Sequence, residues 1–236
     1  SFEDSLLDIE KLPNQTTRDV RYFDLVFACR NKGDFAKARV AVAKIYDLDA
    51  RAKLNTRIDF GEAARSVEAG KAIPDPETMA SKLPNGIERA MIWLAIAHVS
   101  VAKKDYPHAA NAIAIALKTA RGLDDPRRPL LLLNSAAELA SFRSDEAETL
   151  VMEAVQAFNN QKPEASARID WREQVSVGPL SLWFPLRVNG VEFGFRGMLA
   201  PFASRDAELA VRAVGTLSDE RVKAEALLGL AAECLK

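Results

Sequence analysis

A mainly helical chain, arranged as an α-solenoid of antiparallel helical hairpins with a small antiparallel β insertion, follows from three features of the sequence. The first is a spacing. Arg51, Arg89 and Arg127 each open an apolar helical stretch, and they stand 38 residues apart. The stretches read RAKLNTRIDFG, RAMIWLAIAHV and RRPLLLLNSAA, and RVKAEALLGLA from Arg221 has the form of a fourth copy. The third residue after each arginine is Leu54, Ile92, Leu130 or Ala224, so a core position should recur with the arginine. A fixed period of roughly 20 to 50 residues in a helical chain indicates stacked hairpins, each burying the face its neighbour exposes. The second feature is a 3.6-residue apolar period over most of the chain. The third is the loss of that period between residues 164 and 200, where apolar side chains alternate instead.

Taken in order, FEDSLLDIEKL places Phe2, Leu6 and Ile9 on one helical face and stops at Pro13. A helix from Arg18 to Lys32 follows, with Tyr22, Leu25, Val26 and Cys29 inward and Thr16 or Thr17 as its cap. Gly33 ends it and Asp34 caps the next helix, which buries Phe35, Ala38, Val42 and Ile45. Asp49 starts a longer helix with Leu54, Ile58 and Gly61 inward, and Asp75-Pro76 opens a short one. The Arg89 helix follows the turn Leu83-Pro84-Asn85-Gly86, and its partner carries Tyr106, Ala110, Ile113 and Leu117 as an inner stripe. Asp125-Pro126 opens the Arg127 helix, paired with a helix over residues 144–159 that turns Ala147, Val151, Ala154 and Phe158 inward.

The insertion has a different grammar. Leu182, Phe184, Leu186 and Val188 alternate, Asn189-Gly190 intervenes, and Val191, Phe193 and Phe195 alternate again. Asn-Gly between alternating runs predicts a hairpin, because both turn residues take positive φ. Ile169 to Val177 adds a candidate third strand, turned by Gly178-Pro179. Alternation puts Phe184 on the buried side and Trp183 on the exposed side. Helices resume near Ser204, and the last one is expected to bury Ala224, Leu227, Leu228, Ala231 and Leu235. The organisation is therefore a helical-repeat domain over 1–163, a β insertion over 164–200 and a closing hairpin over 201–236.

GDFAKARVAVAKI from Gly33 and KDYPHAANAIAIAL from Lys104 match each other: Asp34 pairs with Asp105, Phe35 with Tyr106 and Ala38 with Ala109. A capping Asp, an aromatic after it and a small residue four beyond the cap resemble the second helix of a tetratricopeptide repeat. The resemblance covers these two half-repeats; the family's 34-residue period and first-helix Trp and Gly pattern are absent. It implies close packing of paired helices at Ala38 and Ala109, and no particular ligand.

Composition narrows function. Thirty-two basic residues against 33 acidic ones leave a net charge of −1, so no long-range attraction draws the chain to nucleic acid or an anionic membrane. The longest apolar run, Ala90 to Ala102, is shorter than the roughly 18 residues a membrane span needs. The chain opens at Ser1 rather than Met, which allows for an upstream segment such as a signal peptide; a soluble, cytoplasmic protein is the expectation. Cys29 and Cys234 occupy apolar helical positions and read as buried thiols. Asn14-Gln15-Thr16 has the form of a glycosylation sequon.

Motifs for chemistry are sparse. His98 and His108 lie without a Cys or acidic pair at zinc-ligand spacing, so His98 reads as a core or groove residue and His108 as a surface one. Asp24, Asp59, Glu138 and Glu173 fall where solvated faces put carboxylates, and no Gly-x-Ser-x-Gly elbow surrounds any serine. Gly190, Gly194 and Gly197 lack the helix and lysine of a phosphate loop. Asp49, Asp125 and Asp219 each precede a repeated arginine by two residues and suggest local ion pairs rather than an anion-binding ladder.

The insertion is the distinctive segment, since stacked repeats do not require it. It holds Trp171, Trp183, Arg187 and Arg196, of residue types that dominate interface hot spots. The expectation is a non-catalytic protein–protein interaction scaffold with no cofactor, its binding surface the insertion and the first helices of the hairpins. Its partner is a protein or peptide, not nucleic acid. A structural domain of a larger polypeptide is the alternative, and an enzyme with an unrecognised site a third.

Overall fold

The computed structural model describes residues 1–68, 75–161, 171–188, 199–203 and 206–235. It is mainly helical, with one small antiparallel sheet among the described residues. Helix α1 (Phe2–Glu10) begins with a capping box between Ser1 and Asp4. Helix α2 (Gln15–Lys32) is capped by Asn14, whose side chain accepts from the Thr17 amide at 2.8 Å. The cap thus lies two residues before the first of the predicted threonines, and the helix starts earlier for it. Helix α3 (Phe35–Ala43) is capped by Asp34. In α4 (Leu48–Glu68) the Ala50 amide donates to Asp47 rather than to Asp49. Then come α5 (Pro76–Lys82), capped by Asp75, α6 (Ile87–Ala102) and α7 (Tyr106–Arg121), capped by Asp105. Helices α8 (Arg128–Leu139) and α9 (Ser144–Asn159) precede strands β1 (Arg172–Val177) and β2 (Leu180–Pro185). A short α10 (Ala200–Ala203), α11 (Ala207–Gly215) and α12 (Glu220–Cys234) close the chain.

The two matched half-repeats share their local geometry. Asp34 and Asp105 have φ/ψ of −87/73° and −86/73°, and each accepts from the backbone amide three residues on. The residue before each is left-handed, at φ +78° for Gly33 and +61° for Lys104. In both turns the amides at these two positions donate to the end of the preceding helix at 2.9 Å. Ala38 and Ala109 are fully buried, as close approach of paired helices requires. The aromatics differ: Phe35 is buried, whereas Tyr106 is exposed and stacks on Phe142, with ring centroids 5.1 Å apart.

Neighbouring helices pack as α2 on α3, α6 on α7 and α8 on α9, and α6 also touches α4 and α8. Buried side chains form two clusters. One joins α1 to α4, the other runs from Phe60 in α4 to α12. Leu54, Ile92 and Leu130 are buried as the arginine spacing predicts. Two stripes differ from expectation. In α7 the buried side is Ala109, Ala112, Ile113, Ala116 and Ala120, while Tyr106, Ala110 and Leu117 are turned partly outward. In α12 it is Val222, Ala226 and Leu230, and Ala224, Leu227, Leu228, Ala231 and Leu235 face outward. Both helices carry apolar residues around most of their circumference, so period alone did not choose the face. The Arg221 stretch is therefore out of register with the other three copies.

The sheet forms around Gly178-Pro179, the turn of the candidate third strand. Gly178 sits at φ +55°, a conformation that favours glycine. The register pairs Glu173 with Phe184 and Gln174 with Trp183. Asn189-Gly190 and Val191 to Phe195 lie outside the described residues. The hairpin does not stand off the helices: β1 packs on α2 and α4, elements far upstream in sequence.

Left-handed backbone at a lysine is disfavoured by about 1 kcal/mol, because Cβ crowds the following carbonyl. Lys104→Gly should therefore raise the urea midpoint, by up to about 1 kcal/mol in stability. Gly33→Ala at the corresponding position should lower it by at least as much, because the added Cβ would also displace the Arg65 guanidinium. In the same assay, Ala38→Leu or Ala109→Leu should cost about 1–3 kcal/mol by overpacking the helix pairs.

Candidate partner-binding face

The hairpin's inner face is an anchor. Val175, Val177 and Phe184 enter the cluster built by α1 to α4. Phe184 is fully buried, with ring centroids 6.1 Å from Phe23 and 5.8 Å from Phe27 and the Arg30 guanidinium 5.4 Å from its own. At the turn, a Cβ on Gly178 would come within 2.8 Å of Thr16 Cγ2. Those contacts run along α2 from Thr16 to Arg30 at the spacing of one helical face, so the strands cover that stripe.

A charged seam holds the other side. Arg127 Nη1 donates to Glu173 of β1 at 2.7 Å, and Nε and Nη2 donate to Asp125 at 2.9 and 2.8 Å. Burial opposes the charged form of Arg127, but hydrogen bonds to Asp125 and Glu173 prevail and raise its pKa. Burial likewise opposes ionisation of Asp125, yet the Arg127 contacts hold its carboxyl below the usual range. Beneath them Arg57 of α4 is buried and ion-paired with Glu88 of α6. Burial pushes the Arg57 pKa down to about 10, against the pull of Glu173 and with Arg127 and Arg30 adding repulsion. Arg57 therefore stays cationic at neutral pH.

The repeated arginines do not share one role. Arg127 makes the expected pair with Asp125 and adds Glu173, but it is itself the N-cap of α8 and Asp125 lies outside the helix. Arg51 donates instead to the Ile45 carbonyl, and Asp49 pairs with Lys53. Arg221 lies 3.5 Å from Glu225, while Asp219 takes the Arg221 amide. Arg89 has a buried Nε with no hydrogen-bond partner among the described residues. Glu138, expected on a solvated face, is largely enclosed, whereas Glu173 is ion-paired and only partly buried.

The outer face of the hairpin is exposed. Arg172, Gln174 and Ser176 on β1, and Ser181, Trp183, Pro185 and Arg187 on and after β2, point away from the helices. Trp183 is 51% exposed. Its ring lies 5.5 Å from the Arg172 guanidinium, and Ser176 and Ser181 join across the strands at 2.7 Å. Alternation thus set the Trp183/Phe184 register correctly. Of the other candidates, Arg187 is on this face, Trp171 packs partly buried against the larger cluster, and Arg196 lies outside the described residues.

Each histidine pairs with a glutamate that sequence spacing does not suggest. His98 Nδ1 is 2.9 Å from Glu138 Oε1, linking α6 to α8. His108 Nε2 is 2.7 Å from Glu77 Oε1, linking α7 to α5, and its Nδ1 is 3.2 Å from Ser100 Oγ. Ser100, His108 and Glu77 line a cavity of about 290 Å³ with Val67, Ile96 and Lys103. The arrangement has the outline of a nucleophile, base and orienting acid. However, Ser100 gives its single hydrogen to the Ile96 carbonyl at 2.9 Å, so it faces His108 as an acceptor. At the adjacent helix N-termini, Asp75 and Asp105 already take the amides of Glu77, Thr78 and His108 that an oxyanion would need. The group is a polar tie between helices. Among the described residues no set of three or more His, Cys, Asp or Glu side chains is placed to hold a metal ion, and no helix is long and apolar enough to cross a membrane. Cys29 is a free, buried thiol.

No family model, curated protein or solved structure matches this chain.

The Glu138 hydrogen bond raises the His98 pKa above its ordinary 6.5, with burial opposing. A raised histidine contributes stability that is complete below 6.5 and lost as pH climbs through the folded-state value. Stability measured by urea titration should accordingly fall across that window in the native chain, and His98→Gln should remove this component of the slope. Phe184→Ala should cost about 3–5 kcal/mol by leaving a cavity against Phe23 and Phe27. A midpoint unchanged in that variant would mean that the hairpin contributes nothing to the core.

Proposed function

We propose that this chain is a non-catalytic interaction scaffold, a tetratricopeptide-like stack of helical hairpins that binds a protein partner through the outer face of its β hairpin. The observation carrying this reading is Trp183: a large aromatic, half exposed, on a strand fixed from behind by Phe184 and from the side by the Arg127–Glu173 ion pair. Tryptophan and arginine supply much of the energy of protein interfaces. An aromatic held on a rigid strand loses little conformational entropy on binding, so more of its contact energy appears as affinity.

Helix α2, one of the first helices expected to line the binding surface, is less available than expected. Phe23 and the rest of the α2 stripe lie under the hairpin. In this reading the insertion moves the recognition surface outward, from the helices to the strands that cover them.

A second reading, in which the chain is a structural domain docking on a neighbouring one, draws on α11 and α12. Val211, Leu227 and Leu228 are exposed there, and exposed apolar patches mark interaction surfaces. The readings separate by mutation. Trp183→Ala should leave the circular dichroism spectrum and urea midpoint unchanged and should reduce recovery of a specific protein from native lysate. Unchanged recovery with Trp183→Ala, but loss with Leu227→Asp/Leu228→Asp, would move the interface to the terminal helices.

A further inference from the structure

The joint between α2, α3 and α4 gathers guanidiniums without carboxylates, and we infer that Arg30 and Arg65 form a binding site there for a phosphate-class dianion. Arg30 stands in the last turn of α2 and is partly buried. Its Nε is buried with no hydrogen-bond partner, and the guanidinium has no ion pair among the described residues. Burial pushes its pKa down and repulsion from Arg65 adds to that, with no acid opposing them. Arg65 of α4 spends one N–H on the Asn31 carbonyl, at 3.2 Å, and pairs with no carboxylate among the described residues. That carbonyl belongs to the C-terminus of α2, which carries only about half a negative charge. Two full positive charges therefore stand together largely uncompensated.

Aromatic rings and glycines set the geometry. The Arg30 guanidinium lies 5.4 Å from the Phe184 ring centroid, and that of Arg65 lies 5.7 Å from the centroid of Phe35. Stacking engages the flat face of a guanidinium and leaves the donors at its edge uncovered. Gly61 lets the groups close up: a Cβ there would sit 3.3 Å from both Arg30 Nε and Phe35 Cε1. On Gly33 a Cβ would fall onto the Arg65 guanidinium itself. Residues 57, 61 and 65 follow one stripe of α4. Arg57, only 7% exposed, adds a second buried donor without a partner, its Nη1, although its charge is spent on Glu88. A single planar carboxylate fills one guanidinium fork. A phosphate group carries up to two charges and three acceptor oxygens, enough to bridge forks presented by two helices.

The test is calorimetric titration of the full chain with inorganic phosphate, phenyl phosphate and malonate at constant ionic strength, alongside urea denaturation in each. Both phosphates should bind saturably at about one equivalent and raise the urea midpoint, because a ligand of the folded chain alone stabilises it. Arg65→Gln should raise the phosphate Kd at least about tenfold, the scale of a lost charge-assisted contact. Arg65 is exposed, so that variant should fold, and its midpoint without phosphate should be no lower than the native one. Arg30→Lys keeps the charge but loses the fork, and should weaken binding similarly; circular dichroism checks its fold. Arg212→Gln removes an exposed charge on α11 and should leave the Kd unchanged, as should Trp183→Ala on the separate hairpin face. Tighter binding of phenyl phosphate would assign the site to an ester, and tighter binding of inorganic phosphate to the free ion. No saturable phosphate binding, malonate bound as tightly as phosphate, or a Kd unchanged in Arg65→Gln would overturn the inference. Equal weakening in Arg212→Gln would do so too, by showing a general charge effect.

Discussion

Docking of the hairpin through Phe184 and the Arg127–Glu173 pair is the constraint on which the rest of the molecule depends. A two-stranded ribbon is marginal in water, since one face exposes apolar side chains and both edges expose backbone groups. Here β1 and β2 gain stability from the helices, and the helices gain a lid. Val175, Val177 and Phe184 complete the cluster of α1 to α4. Leu186 and Val188, a few residues on, belong to the larger cluster that reaches α12. One short segment thus bridges two cores. A pure repeat array has no such bridge, because each unit touches only its neighbours and stability is close to a sum of adjacent terms. The bridge should couple the first helices to the rest and make unfolding more cooperative than stacking alone would.

The charged seam explains how this bridge is held in one position. Apolar contact is non-directional, and a strand pair resting on a helical surface by Phe184 alone has alternatives close in energy. The seam is directional. Arg127 reaches Asp125 and Glu173 together, and Arg57 meets Glu88 a layer below. Taking these groups from water is costly, and their mutual attraction offsets much of that cost only in the correct geometry. In this arrangement the ion pairs contribute more to register than to stability: shifting β1 by one residue would point Glu173 into solvent and leave Arg127 with a single carboxylate.

What could be read from the residues follows from how local each determinant is. The caps at Asp34, Asp75 and Asp105 and the stop at Gly33 involve neighbours three or four residues apart, and they were legible. So was the Trp183/Phe184 alternation, since a strand's period of two assigns faces once one residue is placed. Faces of α7 and α12 were not legible, because a helix rich in Ala and Leu on all sides offers no contrast for a period to detect. The His98–Glu138, His108–Glu77 and Arg127–Glu173 pairs were invisible for a different reason. Their partners are separated by 31 to 46 residues and meet only after the helices have packed. The left-handed Lys104 carries no signal of its own either, although alignment with Gly33 shows that the turn needs positive φ there. The candidate site divides the same way: its exposed aromatic was predictable, and its anchoring was not.

That division bears on how the proposed recognition works. Burying the α2 stripe beneath the strands gives up a surface that helical repeats leave open, but it yields a platform with little freedom. The side chains behind Trp183 are packed, its strand is hydrogen-bonded to β1, and the guanidinium beside it is held against its ring. A flexible loop bearing the same tryptophan and arginines would have to be ordered at the moment of binding, at a cost that subtracts from affinity. On the hairpin that ordering is completed during folding and is supported by Phe184 and Glu173. On the proposed function, stability and recognition are carried by alternate residues of the same strands. A substitution that loosens the inner face should weaken binding without touching the outer one, whereas a substitution on the outer face should leave the fold intact.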